Sequence, residues 1–409
     1  MRKKIISLAV CASLAFFTIC IQNVAKASTV TTKGSTQATL YGFTYGEFAW
    51  DNQMTNLPDL SNMPLPDANK NSSKLYRSTY DQTKAAAEVY MTRLGFNFTN
   101  SDANLKGKLE GDFKGGSGSS KGSFRMRQAW VEHKFGSFNV LVGQAYILEE
   151  MHSSISMGDD APGGFNIPFH RVPIIKLSSS IDLGSANLEL ALAFEWSNNK
   201  AATSGKDTKN TVLSVNRYVF PTTAARAVLH IATGFGSPAT LYAWGSIVPV
   251  YVSDKNGVNV SDNSETSYGF GAGVRVPISM FKVGVNFQYS DGATGYAGLT
   301  DYEPASYYLS TSGDVEKTQM YAWNVNAKVS PTSYITVGAE YDYAKFDNDV
   351  LPSDPKVETI VGNIKIKTTK VTSLGIEWRH VKAKDFDVVG VGDDDFSGDQ
   401  VYAIYKYVF

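Results

Sequence analysis

Charged residues recur at every second position over one stretch of the chain. Lys106, Lys108, Glu110 and Asp112 are spaced two apart, as are Arg125 and Arg127; Arg93 precedes them and Lys176 follows. A spacing of two puts side chains on one face of an extended strand. A face that gathers Arg93, Lys106, Lys108, Arg125, Arg127 and Lys176 attracts anions, by several kT where such charges line a narrow passage with low-dielectric walls. Glu110 and Asp112 share the face, so the competing reading is a neutralised wall that merely holds water. A second group, Glu149, Glu150, Asp159 and Asp160, lies in the long polar stretch 147–170, which also contains Gly163-Gly164. Set opposite the basic face, these acids would create a transverse field that orders dipolar solutes; otherwise they are solvated loop carboxylates.

Bond-making chemistry finds no comparable support. The five histidines, His133, His152, His170, His230 and His380, have no metal-pair spacing, and neither G-x-S-x-G nor H-E-x-x-H occurs. No cofactor or metal is expected. Tyr296, Tyr302, Tyr307 and Tyr308 in the stretch 291–316 have the faces to stack on sugars, although rim tyrosines need no ligand. The run Asp393-Asp394-Asp395 suits a divalent ion bridging lipopolysaccharide phosphates, or simply a solvated loop; it lacks calcium-loop spacing.

The elements that would position these residues are strands. In 188–196, Leu188, Leu190, Leu192, Phe194 and Trp196 alternate with Glu189, Ala191, Ala193 and Glu195. The same dyad runs through 281–290 (Phe281, Val283, Val285, Phe287, Tyr289) and 321–329 (Tyr321, Trp323, Val325, Ala327, Val329). Candidate strands fall at 36–50, 89–99, 104–115, 122–134, 138–146, 171–182, 186–197, 223–232, 239–250, 265–277, 280–290, 317–330, 334–346, 366–380, 385–391 and 400–409. A soluble sandwich would show similar alternation. It has no reason to alternate very short turns (100–103, 135–137, 183–185, 331–333) with long polar connections (51–88, 147–170, 198–222, 291–316, 347–365). Short turns on one rim and long loops on the other describe an all-β transmembrane antiparallel barrel of about sixteen strands. Trp50, Trp130, Trp196, Trp244 and Trp378 near strand ends read as an interfacial girdle.

The chain begins as a secretory signal peptide, residues 1–27: Arg2, Lys3 and Lys4, an apolar core from Ile5 to Ile21, then Ala25-Lys26-Ala27 for cleavage. The alternative, an uncleaved anchor helix, fits poorly with the polar Gln22-Asn23 and the A-x-A ending. Val10 before Cys11 and Ile19 before Cys20 argue against lipidation. Both cysteines lie there, so the mature chain has neither disulfides nor a thiol metal site. Loss of the signal removes four basic residues and no acids, leaving 34 basic against 39 acidic and a net charge of −5, which argues against a nucleic-acid partner. Beyond the signal no apolar run approaches the ~18 residues of a membrane helix. Residues 28–35 form a short N-terminal extension and 36–409 the barrel domain.

The chain ends on Tyr405-Lys406-Tyr407-Val408-Phe409, with Tyr405, Tyr407 and Phe409 on one face. This resembles the C-terminal assembly signal of outer-membrane proteins, which implies the barrel-assembly machinery as a partner. Leu40-Tyr41-Gly42-Phe43, Thr92-Arg93-Leu94-Gly95-Phe96, Leu109-Glu110-Gly111-Asp112-Phe113, Phe124-Arg125-Met126-Arg127-Gln128-Ala129, Val142-Gly143-Gln144 and Arg171-Val172-Pro173-Ile174-Ile175-Lys176 resemble the trimeric Gram-negative porins, in particular the DcaP-like group. The resemblance is strong over 36–182 and architectural beyond. Two departures stand out: members tend to carry a second arginine at the place of Lys176, and residues 28–35 are too few for the periplasmic helical segment some members have. The resemblance implies a homotrimer of sixteen-strand barrels, each with its third external loop folded inward as a constriction.

The expected function is therefore an outer-membrane channel for passive diffusion of small polar solutes, favouring anions or small carboxylates, embedded among lipid and lipopolysaccharide. The alternatives are a barrel hydrolase and a structural envelope protein without an open pore.

Overall fold

The computed structural model describes residues 29–31, 35–52, 83–115, 122–149, 155, 171–196, 205–207, 212–217, 221–254, 264–292, 307–309, 315–347, 349, 354–388 and 392–409. Residues 1–27, and with them the signal-peptide reading, lie outside this set. Sixteen antiparallel strands form the wall: β1 Thr36–Asn52, β2 Arg93–Asn100, β3 Leu105–Gly115, β4 Ser123–Phe135, β5 Phe138–Tyr146, β6 Arg171–Asp182, β7 Ala186–Glu195 and β8 Thr222–Ile231, followed by β9 Ala239–Asp254, β10 Ser264–Ile278, β11 Phe281–Asp291, β12 Gln319–Val329, β13 Ile335–Asp347, β14 Lys356–Lys367, β15 Thr372–Val388 and β16 Gly392–Val408. Each pairs with its neighbours in sequence. β1 also pairs with β16, Phe43 opposite Val408 through Asp51 opposite Gln400, so the sheet closes on itself. A segment Thr83–Glu88 carries β2 upward along β1.

Parity shows which solvent each face meets. Phe96, Leu109, Phe124, Phe270, Phe287, Trp323, Ile364 and Trp378 are exposed on the outside, while Asn286, Gln288, Asn324, Asn326, Glu340, Asp342, Glu377 and Arg379 are buried within. A soluble protein hides its large apolar side chains; this one displays them in a belt and keeps its polar groups inside, the pattern demanded by a hydrocarbon exterior. Closure satisfies the backbone without water, as the bilayer requires. Among the described residues no helix is long and apolar enough to cross a membrane.

Seven short turns lie on one rim; Gly136 and Gly184 adopt φ of 58° and 81° there, which side chains with a Cβ rarely tolerate. Eight connections lie on the other rim, and 147–170 is the third. The strand total of sixteen agrees with the sequence reading, but two assignments within it do not. The stretch 347–365 is not a loop: it contains most of β14. The candidate at 385–391 is no separate strand, since 385–388 is the end of β15. β14 escapes the dyad pattern because its polarity inverts along its length: Ile360, Ile364 and Ile366 face outward below, whereas Lys356 and Glu358 share that outer face above, over buried Val357 and Val361. Above the lipid the exterior is wet, so alternation of polarity is no longer imposed there.

The external connections also carry strands. Gly205–Asp207 pairs in parallel with Tyr307–Leu309, and Val212–Arg217 extends along the upper part of β9. Tyr307 and Tyr308 thus sit on a paired segment; Tyr296 and Tyr302 are outside the described residues. Asp393-Asp394-Asp395 fall on β16 rather than in a loop. At the other rim Thr29–Thr31 pairs with Gln37–Thr39 of β1, just past the point where β16 stops.

Candidate pore and constriction

The connection 147–170 leaves β5 and turns into the barrel. Leu148 N–H donates to Glu195 Oε1 on β7 at 2.9 Å, and Arg226 Nη1 on β8 donates to the Leu148 carbonyl at 3.2 Å. By Ile155 the chain has reached β13 and β14. The Ile155 N–H donates to Glu340 Oε2 at 2.6 Å, and Asn363 Nδ2 donates to the Ile155 carbonyl at 2.8 Å. The Ile155 side chain lies over Gly338, where an added Cβ would stand 2.9 Å from Cδ1. The two anchorages, on β7 and β8 and on β13 and β14, are well apart around the ring, so Leu148 and Ile155 are held against different parts of the inner wall. The wall around the landing point carries a chain of amide hydrogen bonds: Asn286 Nδ2 and Asn326 Nδ2 donate to Asn324 Oδ1 at 2.9 and 2.7 Å, and Asn324 donates to Asp342. Buried polar groups paired in this way hold a single geometry.

Glu149 is completely buried and interacts with Ser246, Glu195 and Arg226. Its carboxyl group is enclosed at the root of the loop rather than displayed across an open passage. Glu150, Asp159 and Asp160 lie outside the described residues.

The charged face on β2 to β6 does point into the lumen, and it is a network rather than a row of free cations. Arg125 Nε and Nη2 donate to Asp112 Oδ1 and Oδ2 at 2.9 and 2.7 Å, while Arg127 Nη1 donates to Oδ2 at 2.6 Å. Glu110 lies 3.6 Å from both Arg93 and Arg127 and 3.3 Å from Lys108, and accepts from Tyr41 Oη at 2.7 Å and Gln128 Nε2 at 3.1 Å. Lys106 pairs with Glu132 at 2.7 Å. Lys176 lies on the inward parity of β6, within electrostatic reach of Glu132, Arg226 and Lys106.

A bulge makes the Arg127 contacts available. Glu110 pairs with Gln128 but Gly111 pairs with Met126, which leaves Arg127 as the extra residue. Arg127 and Gln128 both turn inward while Phe124 and Met126 remain on the lipid face. Exposure then separates roles: the side chains of Lys106 and Arg125 are 58% and 35% exposed, that of Arg127 only 1%. Lys106 and Arg125 are accessible from the lumen; Arg127 is enclosed.

Glu132, Gln128, Tyr41 and Arg226 belong to this lumen but escape the sequence reading; on β4, Gln128 and Glu132 have the opposite parity to Arg125 and Arg127, and the bulge brings them to the same face. Two girdle assignments also change. Trp130 sits opposite Lys108 and donates its indole N–H to Gln128 Oε1 at 3.1 Å, and Trp244 is buried on the inward parity of β9. Trp196 and Trp378 do face outward. Residue type suggested a girdle; parity decides the face.

On β16, Ala403 stands opposite the outward Ile376 and Tyr405 opposite Leu374, so Tyr405 and Tyr407 share the outer face. Tyr407 and Phe409 have ring centroids 6.1 Å apart. Gly42 and Phe409 exchange backbone hydrogen bonds of 3.2 and 3.0 Å, and the Phe409 ring lies over Gly42, whose added Cβ would stand 2.7 Å from Cζ.

No family profile matches the sequence, and no curated protein matches it. Solved structures do. The outer-membrane channel DcaP of Acinetobacter baumannii is 21% identical, with a TM-score of 0.71 over 93% of this chain and 99% of that one. The trimer form of OmpT, an outer-membrane protein of Vibrio cholerae, is 11% identical, with a TM-score of 0.53 over 92% and 100%. An anion-selective porin from Comamonas acidovorans is 14% identical, with a TM-score of 0.52 over 91% and 100%. The chain thus has the fold of the outer-membrane porins: a closed sixteen-strand barrel with a lipid-facing apolar belt and a polar interior.

Proposed function

We propose that this protein is an outer-membrane porin, a channel through which small polar solutes cross by passive diffusion. The observation that supports the reading is a barrel interior lined with charged and polar side chains, with Leu148 and Ile155 of the connection 147–170 held against its inner wall, a connection we read as the constriction. A purely structural barrel has no use for a charged passage, and a hydrolase would need a catalytic constellation at its mouth.

The finer reading is a preference for anions or small carboxylates. Six cations (Arg93, Lys106, Lys108, Arg125, Arg127, Lys176) share the β2 to β6 wall with three carboxylates (Glu110, Asp112, Glu132), so the neutralisation is about half complete and the residual field is positive. The Comamonas porin of similar fold is described as anion-selective, which supports the same direction. We further infer a homotrimer, in keeping with the trimer form of OmpT, a cleaved signal at residues 1–27, and assembly through the outward Tyr405, Tyr407 and Phe409 by the barrel-assembly machinery into lipid and lipopolysaccharide. Purified protein added to a planar bilayer should give stepwise conductance in potassium chloride, with a zero-current potential of anion sign in a salt gradient. Absence of conductance would favour the structural or enzymatic alternatives.

A further inference from the structure

Two carboxyl groups meet at the root of the connection 147–170. Glu149 belongs to the connection and Glu195 ends β7, and they are 0% and 1% exposed. Glu149 faces Glu195 and Ser246 of β9, and the Arg226 cation of β8 acts on both carboxyl groups. Glu195 Oε1 accepts the Leu148 N–H, but the other three oxygens of the pair are buried with no hydrogen-bond partner among the described residues. Arg226 donates to the Leu148 carbonyl rather than to either carboxyl group.

This arrangement differs from the wall on β2 to β6, where Asp112 and the arginines beside it meet at hydrogen-bonding distance. Ionised, Glu149 and Glu195 are both acceptors only, and two acceptors cannot bond to each other until one carries a proton. Enclosed charge without partners is costly, and a second like charge beside it adds to the cost. A proton on the pair removes both penalties, because the protonated group donates to its neighbour. Burial accordingly pushes the Glu149 carboxyl group from 4.5 up to about 7, so the pair gains negative charge as pH rises through that value. The other strands packed there bring uncharged Ser246 on β9, and Lys176 on β6, which is within electrostatic reach of Arg226. Farther along the inward face of β8, His230 lies 3.5 Å from Glu189 of β7.

Resting on the channel reading, we propose that Glu149, Glu195 and Arg226 form a proton-binding site that sets the charge of the lumen wall at the root of the connection, so that ion selectivity follows the acidity of the medium. With both carboxyl groups protonated, the Arg226 cation stands uncompensated and the cluster is positive. Loss of one proton makes the cluster neutral, and loss of the second makes it negative. The contribution of this wall to anion preference is therefore complete in acid and is lost as pH rises through the range in which the pair ionises. Paired groups of this kind titrate in steps that belong to the pair rather than to either residue.

The test is the zero-current potential of the full-length protein in a potassium chloride gradient, read at a series of bath pH values on both sides of neutrality. The parent potential is expected to move toward cation selectivity as pH rises through about 7. Glu149→Gln and Glu195→Gln, each made singly and each close to isosteric, should lose that step, because a carboxamide neither binds nor releases a proton. Arg226→Gln should start nearer cation selectivity in acid yet keep the step. Histidines titrate in the same range, so His230→Gln and a double replacement of His152 and His170 by glutamine are the controls, and both should keep it. If a conducting parent shows no step, if both glutamate variants keep it, or if a histidine variant removes it, the pair is not the proton site while the porin reading stands. A step that chelator abolishes would assign the pair to a metal ion and overturn the proposal as well. Absence of conductance at every pH would overturn the porin reading, and the site with it.

Discussion

The backbone N–H of Ile155 meets the carboxylate of Glu340 at 2.6 Å although 185 residues separate them in the chain. With the Asn363 amide on the Ile155 carbonyl, that contact fixes Ile155 of the connection 147–170 to β13 and β14. Replacing both Glu340 and Asn363 by alanine removes two hydrogen bonds to the loop, one of them to a charged group, worth roughly 2–4 kcal/mol in sum. Single-channel recordings of the double variant should show larger and noisier openings than the parent. Currents of unchanged size would mean the loop is held elsewhere.

Arg125 and Arg127 should behave differently despite sharing Asp112. Arg125 is a third exposed, so Arg125→Ala is expected to move the zero-current potential toward cation selectivity with little loss of barrel stability. Arg127 is enclosed, and Arg127→Ala should instead lower the temperature at which the folded barrel loses its gel mobility, at a cost of roughly 3 kcal/mol. The two measurements would refute the division of labour if both variants moved both readouts alike. Replacing both arginines by alanine should shift the potential further than Arg125→Ala alone.

Removing the counter-charge should act in the opposite direction. Asp112→Asn keeps the shape and one acceptor oxygen but frees positive charge on the lumen wall, so anion preference is expected to increase. Distance favours this local effect, since loop charges more than ~10 Å from the permeating ion are largely screened at physiological salt. A shift toward cations in a salt gradient would show that the wall does not set selectivity.

The seam between β1 and β16 offers a steric test. Gly42→Val would drive a side chain into the Phe409 ring, so it is expected, like deletion of Phe409, to reduce surface barrel. Thr44→Val, also on the outer face of β1, should be tolerated. Normal surface levels of Gly42→Val, measured by labelling intact cells, would remove the ring-on-glycine contact from the account of assembly.

The architecture was legible because lipid and water impose opposite demands on successive residues, and Phe281 to Tyr289 or Tyr321 to Val329 carry that demand undiluted. Legibility ended where the demand ended. Above the bilayer β14 has lysine and glutamate outside with valine inside, so the dyad vanished and a strand was read as loop. The lumen-facing cations on β2 to β6 could be placed from spacing alone, but their partners could not: Glu132 and Gln128 have the opposite parity to Arg125 and Arg127, and nothing in the sequence reveals the bulge at Arg127 that turns two successive side chains inward.

The pairing of Gly42 with Phe409 joins positions near the two ends of the barrel sequence, and this bears on how the protein reaches its fold. Loop closure over so long a span is thermodynamically mild, since each doubling of length adds only about 0.6 kcal/mol. The difficulty is kinetic. Until β16 docks, β1 and β16 both present unpaired backbone along their edges, and open edges invite pairing with another chain. Thr29–Thr31 already occupies the part of the β1 edge that β16 never covers, which leaves the stretch from Phe43 to Asp51 as the edge that must be shielded while the barrel is still an open sheet.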